Sequence, residues 1–174
     1  MSATVPTLQV AANGSAAMVK VCGRASFNCS VDFKALMYGL REKGYKRLIL
    51  DVTDCVIMDS TFLGILAGFS SRLAEVRGEK PRLVLLNPNQ KVIDLLENLG
   101  VADLFEVERQ AEVTGNELEA VESEGGGASK LETSKACLEA HETLMSLNPA
   151  NVERFKDVAR FMREDLKRQE SNGG

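Results

Sequence analysis

The sequence predicts an α/β protein: a mixed sheet of four to five strands with crossover helices, followed by a C-terminal helical hairpin. Three observations carry that reading. Short apolar runs of strand character alternate with stretches of helical periodicity through about residue 108. Glycines and Asn-Gly or Asn-Pro pairs punctuate the junctions between them. Past Glu124 a Gly-rich stretch leads into two long helical patterns that meet at Asn148-Pro149.

Residues 7–11 and 16–22 read as strands joined at Asn13-Gly14, a strong hairpin signal, and Gly23 ends the second. Residues 27–30 read as a loop in which Ser30 is an N-cap candidate. It precedes a helix over 31–43, where Phe33, Leu36, Met37 and Leu40 recur at helical spacing and Gly44 closes the element. The run RLILDV at 47–52 has the look of a buried central strand. Asp59 and Ser60 then open a helix over 60–77 in which Leu63, Leu66, Ala67, Ser70 and Leu73 share a face. Residues 83–86 (LVLL) form another buried strand. Asn87-Pro88 leads into a helix over 89–99 through Val92, Leu95, Leu96 and Leu99, Gly100 stops it, and 104–107 supplies a last edge strand.

Beyond that strand the character changes. Residues 106–147 carry 3 basic and 10 acidic groups, a net −7, so the acidity behind the chain's −4 belongs to that segment. The expected organisation is a domain over 1–108, an acidic Gly-rich linker over 109–129, a helical hairpin over 130–168 and a disordered tail over 169–174. In the hairpin, Leu131, Leu138 and Met145 lie seven apart, and Phe155, Ala159, Met162 and Leu166 form a near-heptad seam after Asn148-Pro149.

Several function classes drop out early. The acidic balance argues against a nucleic-acid partner, which draws a basic footprint. No apolar run approaches the roughly 20 residues of a membrane span, so no membrane partner and a cytoplasmic location are expected. Cys22, Cys29, Cys55 and Cys137 show no CxxC spacing and read as buried reduced thiols. His141, the single histidine, builds neither triad nor metal site alone and is expected on a helix face. Asp51 and Asp54 read as a strand end and a turn, and Gly125–Gly127 lacks the preceding strand and Lys-Ser/Thr of a phosphate-binding loop. No catalytic residue, no metal and no cofactor are expected.

The informative segment is LDVTDCVIMDSTFLG, residues 50–64. A strand ending in Asp, a short connection, and then Met58-Asp59-Ser60-Thr61-Phe62-Leu63-Gly64 opening a helix resembles the signature of STAS domains, commonly Met-Asp-Ser-Ser-Gly-Leu-Gly. The resemblance spans about residues 5–108 and includes the strand and loop at 83–88 and LLENLGVADLF at 95–105. It implies a STAS-like fold and a role like that of the anti-sigma factor antagonists. In those proteins the serine after the aspartate is phosphorylated by a histidine-kinase-like serine kinase. The unphosphorylated antagonist binds the anti-sigma factor, and phosphorylation breaks that complex.

Carried over by position, the acceptor is Ser60, with Thr61 as second choice, and Met58, Asp59, Ser60, Thr61, Phe62 and Leu63 form the partner-binding stretch. Phe62 stands where the family usually has Gly, which puts a large side chain on a surface meant for close approach. Thr61 replaces the second serine. The implied partners are an anti-sigma factor or that kinase, with a serine/threonine phosphatase and a homodimer as further classes. A constitutive STAS scaffold in a larger assembly and a small-ligand or nucleotide-binding STAS module stay open as alternatives. The physical logic needs no family: a helix N-terminus tolerates an added anion, while about −1.5 to −2 charge beside Asp59 repels a closed partner surface.

Overall fold

The computed structural model describes residues 6–77, 83–110, 119–121 and 128–173. Strands β1 (Thr7–Asn13) and β2 (Ala16–Ala25) form an antiparallel hairpin. The chain turns at Gly14-Ser15, where Gly14 takes φ +59°, a value glycine adopts at no steric cost. Helix α1 (Phe27–Glu42) follows, then β3 (Arg47–Asp51), β4 (Cys55–Met58) and α2 (Ser60–Arg77). After them come β5 (Leu83–Leu86), α3 (Gln90–Asn98), a 3-10 turn (Ala102–Leu104) and β6 (Phe105–Glu108). The remaining elements are β7 (Glu119–Val121), α4 (Lys130–Leu147) and α5 (Asn151–Asn172).

The sheet runs β6-β5-β3-β2-β1-β7, with β4 pairing to β2 off that path. Pairs β2–β3, β3–β5 and β5–β6 are parallel, while β1 is antiparallel to both β2 and β7. Each parallel step moves in the same direction across the sheet. Because such crossovers are right-handed, α1, α2 and α3 are placed on one face. There Phe33, Met37, Leu40, Phe62, Leu63, Leu66 and Phe69 pack on Leu8, Val19, Val21, Leu48, Leu50, Leu83, Leu85 and Phe105. Helix α4 contacts α1 and α2, and α5 contacts α4, so the helical pair forms a layer outside the helices.

The alternating α/β order, the central 47–52 strand and the helix opening at Ser60 stand as expected. Two strands beyond the expected five appear. β4 is four residues long and half exposed, too short to signal itself, and it joins the second half of β2 after a bulge between Gly23 and Arg24. β7 lies inside the expected 109–129 linker and extends the sheet past β1. The rest of that linker, including Gly125–Gly127, falls outside the described residues.

Other boundaries move for local reasons. α1 begins at Phe27 with Ser26, not Ser30, as its N-cap: Ser26 Oγ accepts from Asn28 N–H, and Ser30 Oγ donates within the helix to the Phe27 carbonyl at 2.7 Å. α5 runs on to Asn172, so residues 169–172 of the expected tail are helical. Leu131, Leu138 and Met145 are only half buried; the residues α4 buries are Ala136, Cys137, Ala140, His141 and Leu144. That helix spends its best face on the domain and its second on α5.

Candidate functional site

The site stands where β4 hands over to α2. The second half of β2 pairs with β4, and Asp59 N–H donates to the Ala25 carbonyl at 2.9 Å, so the end of β4 is stitched to the entry of α1. The Asp59 carboxylate then caps two helices at once. Oδ1 accepts from Phe62 N–H, in the first turn of α2, at 2.8 Å. Oδ2 accepts from Phe27 N–H, the first residue of α1, also at 2.8 Å. One side chain satisfies two of the donors that helix starts leave unpaired.

Ser60 is the first residue of α2 and half buried. Its hydroxyl lies 3.0 Å from His141 Nε2 on α4, while His141 Nδ1 lies 2.7 Å from the Cys137 carbonyl one turn back. A carbonyl only accepts, so Nδ1 carries the proton, Nε2 is the acceptor, and Ser60 Oγ–H donates to the ring. Burial holds the imidazole pKa below its ordinary value, against the smaller opposing pulls of the Cys137 carbonyl and the Asp59 charge. The neutral ring packs on Phe155 of α5 at 4.9 Å between centroids.

The same helix covers the next turns of α2. Thr61 Oγ1 donates to Cys137 Sγ at 3.6 Å. A Cβ on Gly64 would sit 2.5 Å from the Ala140 carbonyl oxygen, and one on Gly68 would sit 3.1 Å from Thr143. Glycine is required at 64 because the α4 backbone lies directly against it. Glu139 clamps the helix between α1 and α2, accepting from Lys34 Nζ at 2.6 Å and pairing with Arg72 at 3.6 Å. At the far end Asn151 Nδ2 donates to the Leu99 carbonyl at 2.9 Å and to that of Leu144 at 3.0 Å.

Of the six residues expected to meet a partner, only Asp59 and Ser60 keep exposure. Met58, Phe62 and Leu63 belong to the core and support the surface instead of forming it. Phe62 in particular points inward, stacked on Phe33 at 4.3 Å, so the bulk expected on the close-approach surface lies beneath it. Thr61 is buried under α4. Sequence reasoning missed His141, which is buried against α2 and bonded to Ser60; nothing in its local pattern links it to a residue 81 positions away. It also missed the exposed apolar rim of Phe27, Val56 and Ile57 beside Asp59.

The Ser60–His141 pair has the donor–acceptor order of a nucleophile and its base. The cleft a turn further along, between α1, α2 and α4, measures about 10 Å³, and neither it nor the wider groove of about 390 Å³ beside it between α2 and α4 is lined by Ser60 or His141. Asp51 closes a turn by accepting from Thr53 N–H at 2.9 Å, and Asp54 pairs with Lys20 at 2.8 Å, so neither acid faces the site. Among the described residues no group of three His, Cys, Asp or Glu is placed to hold a metal, and no helix is long and apolar enough to cross a membrane. Cys29, Cys55 and Cys137 are buried with thiol pKa values pushed up by burial, and Cys22 is half buried; all four are free thiols.

A single-faced mixed sheet with a helix N-terminus presenting Asp-Ser at its end defines a known class of domain. The STAS domain model matches residues 7–113, and the chain belongs to that family. Solved structures agree on the fold. An anti-sigma factor antagonist from Mycobacterium paratuberculosis matches at TM-score 0.53 and 17% identity, over 62% of this chain and 89% of its own. Unphosphorylated SpoIIAA, an anti-sigma factor antagonist from Bacillus, matches at TM-score 0.50 and 18% identity, over 58% of this chain and 87% of its own. No curated protein matches the chain by sequence.

Proposed function

We propose that this chain is a phospho-regulated protein-binding adaptor of the anti-sigma factor antagonist kind, acting by binding and not by catalysis, in the cytoplasm. Its unphosphorylated form binds an anti-sigma factor or a histidine-kinase-like serine kinase, phosphorylation of Ser60 releases the partner, and a serine phosphatase resets it. The observation that carries this is the placement of Ser60: the first residue of α2, directly after a twice-bonded Asp59, with Phe27, Val56 and Ile57 exposed around it. Apolar side chains beside a rigid polar centre are what a protein interface uses.

In the transfer the Ser60 Oγ–P bond forms as the β,γ-bridging P–O bond of ATP breaks. ADP leaves, and the hydroxyl proton passes to a base on the kinase. The added charge falls beside Asp59. Each 1.4 kcal/mol of repulsion and desolvation at a closed interface is about tenfold in affinity. Residues 7–113 supply the switch domain, and α4–α5 form an extension of it.

The test is incubation of the full chain with ATP and purified histidine-kinase-like serine kinases from the same genome, with the phosphate mapped by mass spectrometry. Phosphate on Ser60, lost in Ser60→Ala and unaffected by Thr61→Val, is the expected result. Phosphate on another residue alone refutes the assignment. A second reading, a constitutive scaffold with Ser60 unmodified, is favoured by the bond that ties the hydroxyl to His141. It predicts no phosphate and one partner affinity for wild type and Ser60→Glu.

A further inference from the structure

The packing of α4 on the switch face differs in kind from the packing beneath it. Inside the domain large apolar side chains fill the space, Phe33, Phe62, Phe69 and Leu66 among them. Across the α2–α4 contact Ser60, Thr61, Gly64 and Gly68 meet His141, Cys137, Ala140 and Thr143. Ala136, Ala140 and Leu144 do join the core, but only Leu144 among them is large. Hydrophobic stabilisation scales with apolar area, and apart from Leu144, Leu147 and Phe155 this contact is built from small side chains, backbone proximity and hydrogen bonds. The clamp at Glu139 is half exposed and contributes little. At the hairpin's turn Asn151 is fully buried while its Oδ1 has no partner among the described residues. A contact poor in large apolar side chains, between a domain and its extension, is of the kind that opens.

We propose that α4–α5 is an internal cover for the Ser60 face, and that a docked cover and a phosphorylated Ser60 exclude each other. The modification itself rests on the phospho-switch reading above; the cover does not. With Oγ 3.0 Å from Nε2, no phosphoryl group fits between serine and ring. α4 has no room to adjust, because one turn on its Ala140 carbonyl already touches Gly64. The new dianion would lie next to the Asp59 carboxylate with α4 packed against one side of it. Undocking the helix makes room for the phosphoryl group and lets water reach both charges. The chain therefore has a covered state, an open state that binds partners, and an open phosphorylated state that does not. Apparent partner affinity is reduced by the fraction of chains that are open.

The cover is tested in the full chain without any kinase. A thiol is placed at the site by Ser60→Cys, and its alkylation by N-ethylmaleimide is followed by peptide mass spectrometry, which separates position 60 from the four native cysteines. Adding Ala140→Phe, a change within α4 that leaves residues 7–113 intact, is expected to speed labelling at position 60 at least tenfold. Amides of β2, β3 and β5 are expected to stay protected from hydrogen exchange. If Ala140→Phe unfolds the chain, Thr143→Arg, at the half-buried edge where α4 lies against Gly68, makes the same comparison. Separately, Ser60→Glu is expected to raise exchange across residues 130–147 at least tenfold over wild type. Equal labelling with α4 intact or disrupted overturns the proposal, as does full α4 protection in Ser60→Glu. Either outcome leaves the kinase experiment standing, and a failed kinase experiment leaves these results standing.

Discussion

Replacing Asp59 with alanine separates a structural acid from one that serves only a partner. In the native chain its two carboxylate oxygens each accept a backbone N–H at 2.8 Å, from Phe27 and from Phe62. Losing an N-cap aspartate costs about 1 kcal/mol. The second charge-assisted bond adds about 1.5 kcal/mol, because the Phe27 N–H at the start of α1 loses its acceptor. Asp59→Ala should therefore destabilise the chain by about 2.5 kcal/mol, or roughly 5–10 °C in Tm at this chain length. Asp59→Asn, which keeps one carbonyl acceptor, should lose about half as much. Urea titration followed by circular dichroism gives both values, with an unchanged m-value confirming that the same surface unfolds. A loss under 0.5 kcal/mol for Asp59→Ala would refute the double-cap reasoning and return Asp59 to a purely interfacial role.

Further outcomes follow from the same geometry. The chain has one histidine, so one imidazole signal reports on α4 docking by NMR. The buried ring is neutral when folded, and Asp59 and the Cys137 carbonyl face it without reversing the shift, so its native pKa should lie below 6.5. The unfolded chain then binds the extra proton first: the His141 contribution is complete above about pH 6.5 and is lost as pH falls below it toward the folded pKa. A native pKa above 6.5 would contradict this. Gly64→Ala should undock α4 and raise exchange over 130–147, because its Cβ would meet the Ala140 carbonyl oxygen at 2.5 Å; an unchanged exchange pattern would show that α4 yields freely. Phe62→Ala removes a ring stacked on Phe33 and should cost about 3–5 kcal/mol in urea titration. Cys29, Cys55 and Cys137 should react slowly with a disulfide reagent in the native state and fully in denaturant, with Cys22 the fastest.

Local signals in the sequence were sufficient for the longer strands and the helices of the sheet domain. The 47–52 and 83–86 runs are apolar on both faces and could only be central strands, and Asp59-Ser60 before a periodic stretch marked the start of α2 to the residue. β4 and β7 escaped because strands of four and three residues carry no period and exist by pairing with β2 and β1. Ser30 looked like an N-cap only because Phe27–Cys29 lack polar helix formers; the bond from Asn28 N–H to Ser26 moves the start back. Phe62 misled for a different reason: the motif told its position but not its direction, and the turn of α2 sends it onto Phe33. The tie between Ser60 and His141 is long-range packing, invisible in either segment alone. Where α4 docks was decided by Gly64 and Gly68, residues whose meaning appears only once a second backbone lies on them.

β7 gives the C-terminal helices a leash. Its three residues are hydrogen-bonded to β1 at the sheet edge, and nine residue steps separate Val121 from Lys130, where α4 begins. Fully extended, that length reaches about 30 Å. A hairpin that leaves Ser60 therefore stays within about one domain diameter of it, at an effective concentration on the order of millimolar. Reclosure is first order and indifferent to how much protein is present. If α4 opens as proposed, a partner from solution competes with reclosure, and it holds the face open only where its concentration over its dissociation constant exceeds the local concentration over the docking constant. Under that proposal the short edge strand, by fixing where the tether starts, helps set how hard the face is to open.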